Sequence, residues 1–208
     1  MTTDYALYLL MGPDVENPAS VATAAAAGGV SIIQWRDKTG STAQQVEAVR
    51  ALVAASPVPV VVNDRADVAV AAGAAGVHVG HGDLTAQEAR AVVGPHAIVG
   101  LTIHTLDEAA AADGAPIDYA SVGGVFETIS KHNPQPPIGI DGFKALAGRL
   151  RQGAPHPVIA VAGITAPRAE ALAAAGADGV AVMSAITKAQ DPAAAAHTLL
   201  TAFQKGAA

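Results

Sequence analysis

"AAAGADGVAV", residues 173–182, holds one structural unit in ten letters: the end of an Ala-rich helix, a glycine that turns the chain, and an apolar strand. Alanine has the highest helix propensity, glycine past the last turn takes left-handed backbone as a C-cap, and valine suits a pleated strand. The phrase recurs as "AAAAGGVSII" (24–33), "AAGAAGVHVG" (71–80) and "ADGAPIDYAS" (112–121). The chain is therefore written as a repeated helix, turn and strand.

Working outward, apolar and β-branched runs predict eight strands, at 6–11, 30–35, 58–62, 76–80, 97–102, 118–123, 157–163 and 178–184. Helical stretches fall between and after them, at 18–27, 41–55, 65–73, 85–93, 106–113, 141–151, 166–175 and 191–204. The strands are apolar on both sides, as in a parallel sheet covered on both faces. Eight such units without a long linker predict an α/β fold, one (β/α)8 TIM barrel, with residues 1–208 as a single domain. An open doubly wound sheet is the alternative. Against it, the first strand runs into "LLMGPD" with no glycine-rich dinucleotide turn, and "MSAITKAQD" leaves room for the short extra helix with which many barrels bind phosphate.

The composition, 51% hydrophobic and 14% charged over 208 residues, supplies a sizeable core and excludes disorder. A net charge of −6 excludes the broad basic surface of a nucleic-acid binder. The chain has no cysteine, which removes disulfides, thiolate metal sites and thiol nucleophiles together and fits a cytoplasmic location. No apolar run reaches the length of a membrane span, and no targeting leader is expected.

In a barrel, residues just past each strand face the site. Strand two ends in Gln34, Arg36 and Lys38, whose alternate spacing aims them one way while Trp35 and Asp37 point elsewhere. Two cations and an amide suit a polyanionic substrate, since arginine forks onto phosphate oxygens and lysine adds a mobile charge. Strand three ends in Asn63, Asp64 and Arg65, strand four in His78, His81 and Asp83, and strand five in Thr102, His104 and Thr105. Asp64 and Asp83 on neighbouring strands make a hard oxygen site of the kind Mg²⁺ prefers beside phosphate. The local alternative pairs Asp64 with Arg65 and uses Asp83 to cap the helix starting near Thr85.

The polar loop 123–137 offers Thr128, Ser130 and Lys131 to phosphate oxygens. Gly163 and the turn at Met183, Ser184 and Ala185 offer backbone N–H groups to a second phosphate. Among the seven histidines no pair has helical zinc-ligand spacing, His78 lies inside a strand, and His96, His156 and His197 read as surface or capping residues. His104 and His132 remain candidates for proton transfer.

The stretches "IIQWRDK", "VVNDR", "GVHVGHGDL", "GLTIHT", "GGVFETISKHNPQPPIG", "VAGI" and "GADGVAVMSAI" together resemble thiamine phosphate synthase, in order and over nearly the whole chain. That resemblance implies a barrel joining 4-amino-5-hydroxymethyl-2-methylpyrimidine diphosphate to 4-methyl-5-(2-phosphoethyl)thiazole with Mg²⁺ as cofactor. It implies Gln34 and Thr102 at the pyrimidine; Arg36, Lys38, Asn63 and Lys131 at the pyrophosphate; and Asp64 and Asp83 at the metal. Arg36, Lys38 and Lys131 then carry the catalytic charge. Thr128, Ser130, Gly163, Met183 and Ser184 are similar to the residues that hold the thiazole phosphate. The chain departs from the pattern at Met11 and Gly12, His81, Ser130, His132 and Ala162. Two rival readings are a thiazole tautomerase on the same barrel, which needs an acid-base histidine and no pyrophosphate cradle, and a non-catalytic sensor of thiamine phosphate. The expected partners are small-molecule substrates, with no nucleic acid and no membrane, and a homodimer is carried as a further expectation.

Overall fold

A computed structural model describes residues 3–128, 136–153 and 156–208. Eight strands, β1 Leu7–Met11, β2 Ile32–Trp35, β3 Val60–Asn63, β4 Gly76–Val79, β5 Ile98–Ile103, β6 Tyr119–Val122, β7 Val158–Val161 and β8 Gly179–Val182, pair in parallel and in chain order, and β8 returns to β1. The sheet closes, so the open doubly wound alternative is excluded. The helices α1 Pro18–Ala27, α2 Thr42–Ala55, α3 Ala66–Ala72, α4 Ala86–Val93, α5 Leu106–Ala111, α6 Gly139–Gly153 and α7 Ala166–Ala174 alternate with the strands. The short α8 Ser184–Thr187 and the final α9 Pro192–Ala207 follow β8.

Two apolar layers lie on either side of the sheet. Leu9, Ile33, Trp35, Val62, Val77 and Val122 face outward into the core beneath the helices. Tyr8, Ile32, Val61, Tyr119, Ile159 and Ala181 fill the barrel interior. The two sets alternate along the strands because side chains change face at every residue. Both faces being covered, every residue of β2, β3, β4, β6 and β8 is buried.

Several element ends shift for local reasons. The stretch expected as strand to Gly163 stops at Val161, because Ala162 and Gly163 take φ of 92° and 66° and leave the ladder. β3 runs one residue past the expected end at 62 and stops at Asn63, before Asp64, whose φ is 64°. In the recurring phrase, the left-handed glycine is the cap itself only at Gly73. After α7 the capping residue is Ala175 and the turn follows at Gly176, and after α1 it falls at Gly29 rather than Gly28. Opposite the site, one ion-pair arrangement occurs twice. Asp118 accepts from Val99 N and Arg90 at 2.7 Å each, and Asp178 accepts from Val158 N and Arg151 at 2.8 Å each. Each aspartate ties the strand it precedes to a helix and to the neighbouring strand. Among the described residues no helix is long and apolar enough to cross a membrane.

Candidate active site

The C-terminal ends of the strands open on a cavity of about 150 Å³, a size that accommodates one six-membered ring. Leu10, Val161 and Ala181 give it apolar walls, and Gln34, His78, Thr102 and Ser121 give it polar positions. Of the residues singled out in the sequence, Gln34, Arg36, Asn63, Thr102, Thr128, Gly163, Met183 and Ser184 line this cavity. Trp35, between Gln34 and Arg36, turns outward into the helix-covered core, as the alternation requires.

Lys38, Asp64 and Asp83 gather outside that lining. The Lys38 ammonium pairs with the Asp64 carboxylate. The Asp83 carboxyl is held above its ordinary range, first by burial and then by its hydrogen bond and charge contact with Asp64; the Gly80 N–H, 2.9 Å from Asp83 Oδ2, acts in the opposite direction. Two carboxyl groups are thus brought together against their own repulsion. The local alternative for them is not what forms: Arg65 pairs with Asp67 and reaches Thr42 Oγ1, while α4 is capped by Thr85 in a capping box with Glu88.

Asn63 is 8% exposed and its Nδ2 has no hydrogen-bond partner among the described residues. A buried donor without an acceptor costs free energy, so this amide is arranged for an oxygen that a ligand brings. Two adjacent carboxylates form a hard donor set of the kind that would suit Mg²⁺ beside phosphate oxygens. Among the described residues no group of three or more His, Cys, Asp or Glu side chains forms a closed metal cage. Ser130, Lys131 and His132 lie outside the described residues. His104 sits off the cavity lining, its Nδ1 3.7 Å from the Glu108 carboxylate.

Tyr8 and Ser121 line the cavity without having been singled out for it, as does His78, named at the end of strand four but set aside as a residue inside the strand, and Tyr119 lies beneath them. Gln34 Nε2 donates to Tyr8 Oη at 2.8 Å, and Tyr8 Oη lies 2.7 Å from Tyr119 Oη. Tyr119 Oη lies 2.7 Å from His78 Nδ1, and His78 Nε2 lies 2.7 Å from Thr102 Oγ1. Ser121 Oγ completes the cluster, 3.2 Å from Thr102 Oγ1. His78 is 6% exposed and so is an interior residue of the site, not one more member of an apolar strand. The period-two alternation that places Gln34 inward does the same for Tyr8, His78 and Tyr119, and that was the signal available.

The fold and the site define the class: a (β/α)8 barrel with an apolar cavity and a charged rim at the C-terminal ends of its strands. The family model described as thiamine monophosphate synthase matches residues 7–186. The thiamine-phosphate synthase of Agrobacterium fabrum is 46% identical over 96% of this chain and 94% of its own length, and that of Vibrio parahaemolyticus is 38% identical over 95% and 97%. The solved thiamine phosphate pyrophosphorylase from Pyrococcus furiosus superposes with a TM-score of 0.85 at 28% identity, over 99% of this chain and 98% of that one. The chain belongs to the thiamine monophosphate synthase family. Membership assigns it a transferase reaction of thiamine biosynthesis, the formation of thiamine phosphate.

Proposed function

We propose that the chain, acting as one domain over residues 1–208, couples 4-amino-5-hydroxymethyl-2-methylpyrimidine diphosphate with 4-methyl-5-(2-phosphoethyl)thiazole to give thiamine phosphate and pyrophosphate. One juxtaposition carries this reading: a ring-sized cavity containing Gln34 lies beside the Asn63 Nδ2 donor, which has no partner among the described residues, the Arg36 guanidinium and the Asp64–Asp83 pair. Gln34 and Thr102 hold the pyrimidine; Arg36, Lys38, Asn63 and Lys131 hold its pyrophosphate. Thr128, Ser130, Gly163, Met183 and Ser184 hold the phosphate of the thiazole.

The bond from the pyrimidine methylene to the diphosphate oxygen breaks first, and its electron pair leaves with pyrophosphate. The electron-rich aminopyrimidine delocalises the resulting cation, and the thiazole nitrogen closes the new bond with its lone pair. Arg36, Lys38 and Lys131 stabilise the charge that grows on the leaving group. Mg²⁺, held by Asp64 and Asp83, neutralises pyrophosphate charge when bound. The apolar walls align the two rings and keep water from the cation. Lys38 pairs with Asp64 in the free chain, so its full engagement with pyrophosphate accompanies a new partner for that carboxylate.

A cytoplasmic location and a homodimer belong to the same proposal, and sedimentation of the purified chain measures the latter. The activity test incubates the protein with both substrates and Mg²⁺ and reads thiamine phosphate by chromatography. Turnover of the thiazole tautomer without coupling would overturn the proposal in favour of the tautomerase. Tight thiamine phosphate binding without turnover would overturn it in favour of the sensor.

A further inference from the structure

Tyr8, Tyr119 and His78 sit between two residues that line the cavity, Gln34 and Thr102, and none of the three is needed to hold an anion. The junctions are hydrogen bonds of 2.7 or 2.8 Å, between buried groups except at the half-buried Thr102, and His78 Nε2 also lies 3.4 Å from Ser121 Oγ. Burial, the largest cause in each case, raises both tyrosines well above the ordinary phenol range, so each keeps one proton to donate. A neutral imidazole likewise donates from one nitrogen and accepts at the other.

Proton counting then leaves two arrangements. With Gln34 Nε2 donating to Tyr8, Tyr8 donates to Tyr119, Tyr119 donates to His78 Nδ1, and His78 Nε2–H donates to Thr102 Oγ1. Gln34 then leaves its carbonyl oxygen to the cavity, where no described residue donates to it, and Thr102 keeps its proton to give to the cavity or to Ser121 Oγ, 3.2 Å away. Reversing one bond reverses the series as far as His78, whose Nε2 then accepts from Thr102 at 2.7 Å, nearer than Ser121 at 3.4 Å: Gln34 would offer its N–H to the cavity and Thr102 would offer a lone pair.

We propose that Tyr8, Tyr119 and His78 form a polarity relay that couples the hydrogen-bonding sense of Gln34 to that of Thr102, so that the cavity reads an amino donor and an acceptor on one ring as a pair. The three act as positioning residues, because they work through Gln34 and Thr102. The inference rests on the pyrimidine reading above and adds how the ring is chosen: an amino-substituted heterocycle fits the sense drawn here, and its oxo counterpart requires the whole relay to turn over. Gly100 permits the arrangement. It pairs with His78 on one side and Tyr119 on the other, and a Cβ there would stand 2.4 Å from His78 Nδ1 and 2.2 Å from Tyr119 Cζ.

The test has two independent readouts. In ¹⁵N-histidine spectra of the free chain, His78 is expected as the neutral Nε2–H tautomer; a proton on Nδ1, or on both nitrogens, overturns the relay as drawn. Calorimetric titration then compares 4-amino-5-hydroxymethyl-2-methylpyrimidine with its 4-oxo counterpart. Wild type should prefer the amino compound by roughly 10-fold or more, the value of one mismatched buried hydrogen bond. Tyr119→Phe and Tyr8→Phe, each folded by circular dichroism, should bring the ratio to within about 3-fold, because a broken relay lets the ends orient separately. A merely structural role would weaken both ligands alike, so an unchanged ratio in both variants overturns the proposal. If wild type binds neither pyrimidine, the substrate reading and the ligand half of this inference fail together, while the histidine spectrum still decides the relay itself.

Discussion

Adding one methyl group at Gly100 should have the opposite sign to adding the same group at Gly148. At Gly100 the new Cβ would meet Tyr119 Cζ at 2.2 Å, Tyr119 Oη at 2.4 Å and His78 Nδ1 at 2.4 Å. Tyr119 is fully buried and already packed against Tyr5, Tyr8 and His78, so it has nowhere to retreat. Overpacking of this kind costs about 1–3 kcal/mol, and leaving the Tyr119–His78 hydrogen bond unmade costs about 1–3 kcal/mol more. For a chain of this size each kcal/mol moves the melting temperature by about 2–4 °C, so Gly100→Ala should melt roughly 5–20 °C below wild type. Gly148 lies exposed in α6 with nothing within 4 Å of a Cβ. There alanine adds helix propensity and restricts the unfolded chain, worth about 0.5–1 kcal/mol, so Gly148→Ala should melt roughly 1–4 °C higher. Calorimetric melts of the two variants beside wild type check both signs. Gly100→Ala melting within about 2 °C of wild type would refute the close approach of β4, β5 and β6 on which the buried hydrogen-bond series depends.

Arg36→Ala and Lys131→Ala should each lower coupling by roughly 100-fold or more without shifting the melt, since each removes charge stabilisation from the leaving group; near-normal rates in both would remove the pyrophosphate assignment. Mg²⁺ should stabilise the folded chain by about 2.7 kcal/mol at a hundred times its dissociation constant, and Asp83→Asn should abolish that gain; equal stabilisation of the variant places the metal elsewhere. Asp37 buttresses the turn after β2: burial raises its pKa, but hydrogen bonds from the Thr39 and Gly40 N–H groups and the Thr39 hydroxyl outweigh it, and the net shift is downward. A lowered carboxyl pKa contributes stability that is complete above the unfolded value, about 3.9, and is lost as pH falls through the lower folded value. The stability gap between wild type and Asp37→Asn should therefore shrink in acid, and a gap constant from about pH 6 to pH 2 in denaturant titrations would contradict this.

Much of the barrel was legible because its signals are local. Helix α1 begins at Pro18 and ends at Ala27 where the alanine run and Gly28 place it, and the short α8 falls within "MSAITKAQD". The stretch read as strand to Gly163 ends at Val161 because the backbone leaves the β region at Ala162, a residue type that does not announce left-handed backbone as glycine does. At the site, period-two alternation was enough to turn Gln34 and Arg36 toward the cavity and Trp35 away. The same rule applied to β4 and β6 would have turned His78 and Tyr119 inward, but a single histidine in an apolar strand carries no sign of what it meets across the barrel.

By itself, then, the sequence determined the strand and helix alternation, the face each strand residue takes, and the collection of Gln34, Arg36, Asn63 and Thr102 at one end, since all of these follow from local propensity and from the two-residue strand period. Only the closed barrel decided which residues share a bond. It set Lys38 against Asp64 across 26 residues, brought Asp83 beside Asp64, and joined Tyr8 to Tyr119 across 111, because the register of strands distant in the chain is fixed by packing and closure.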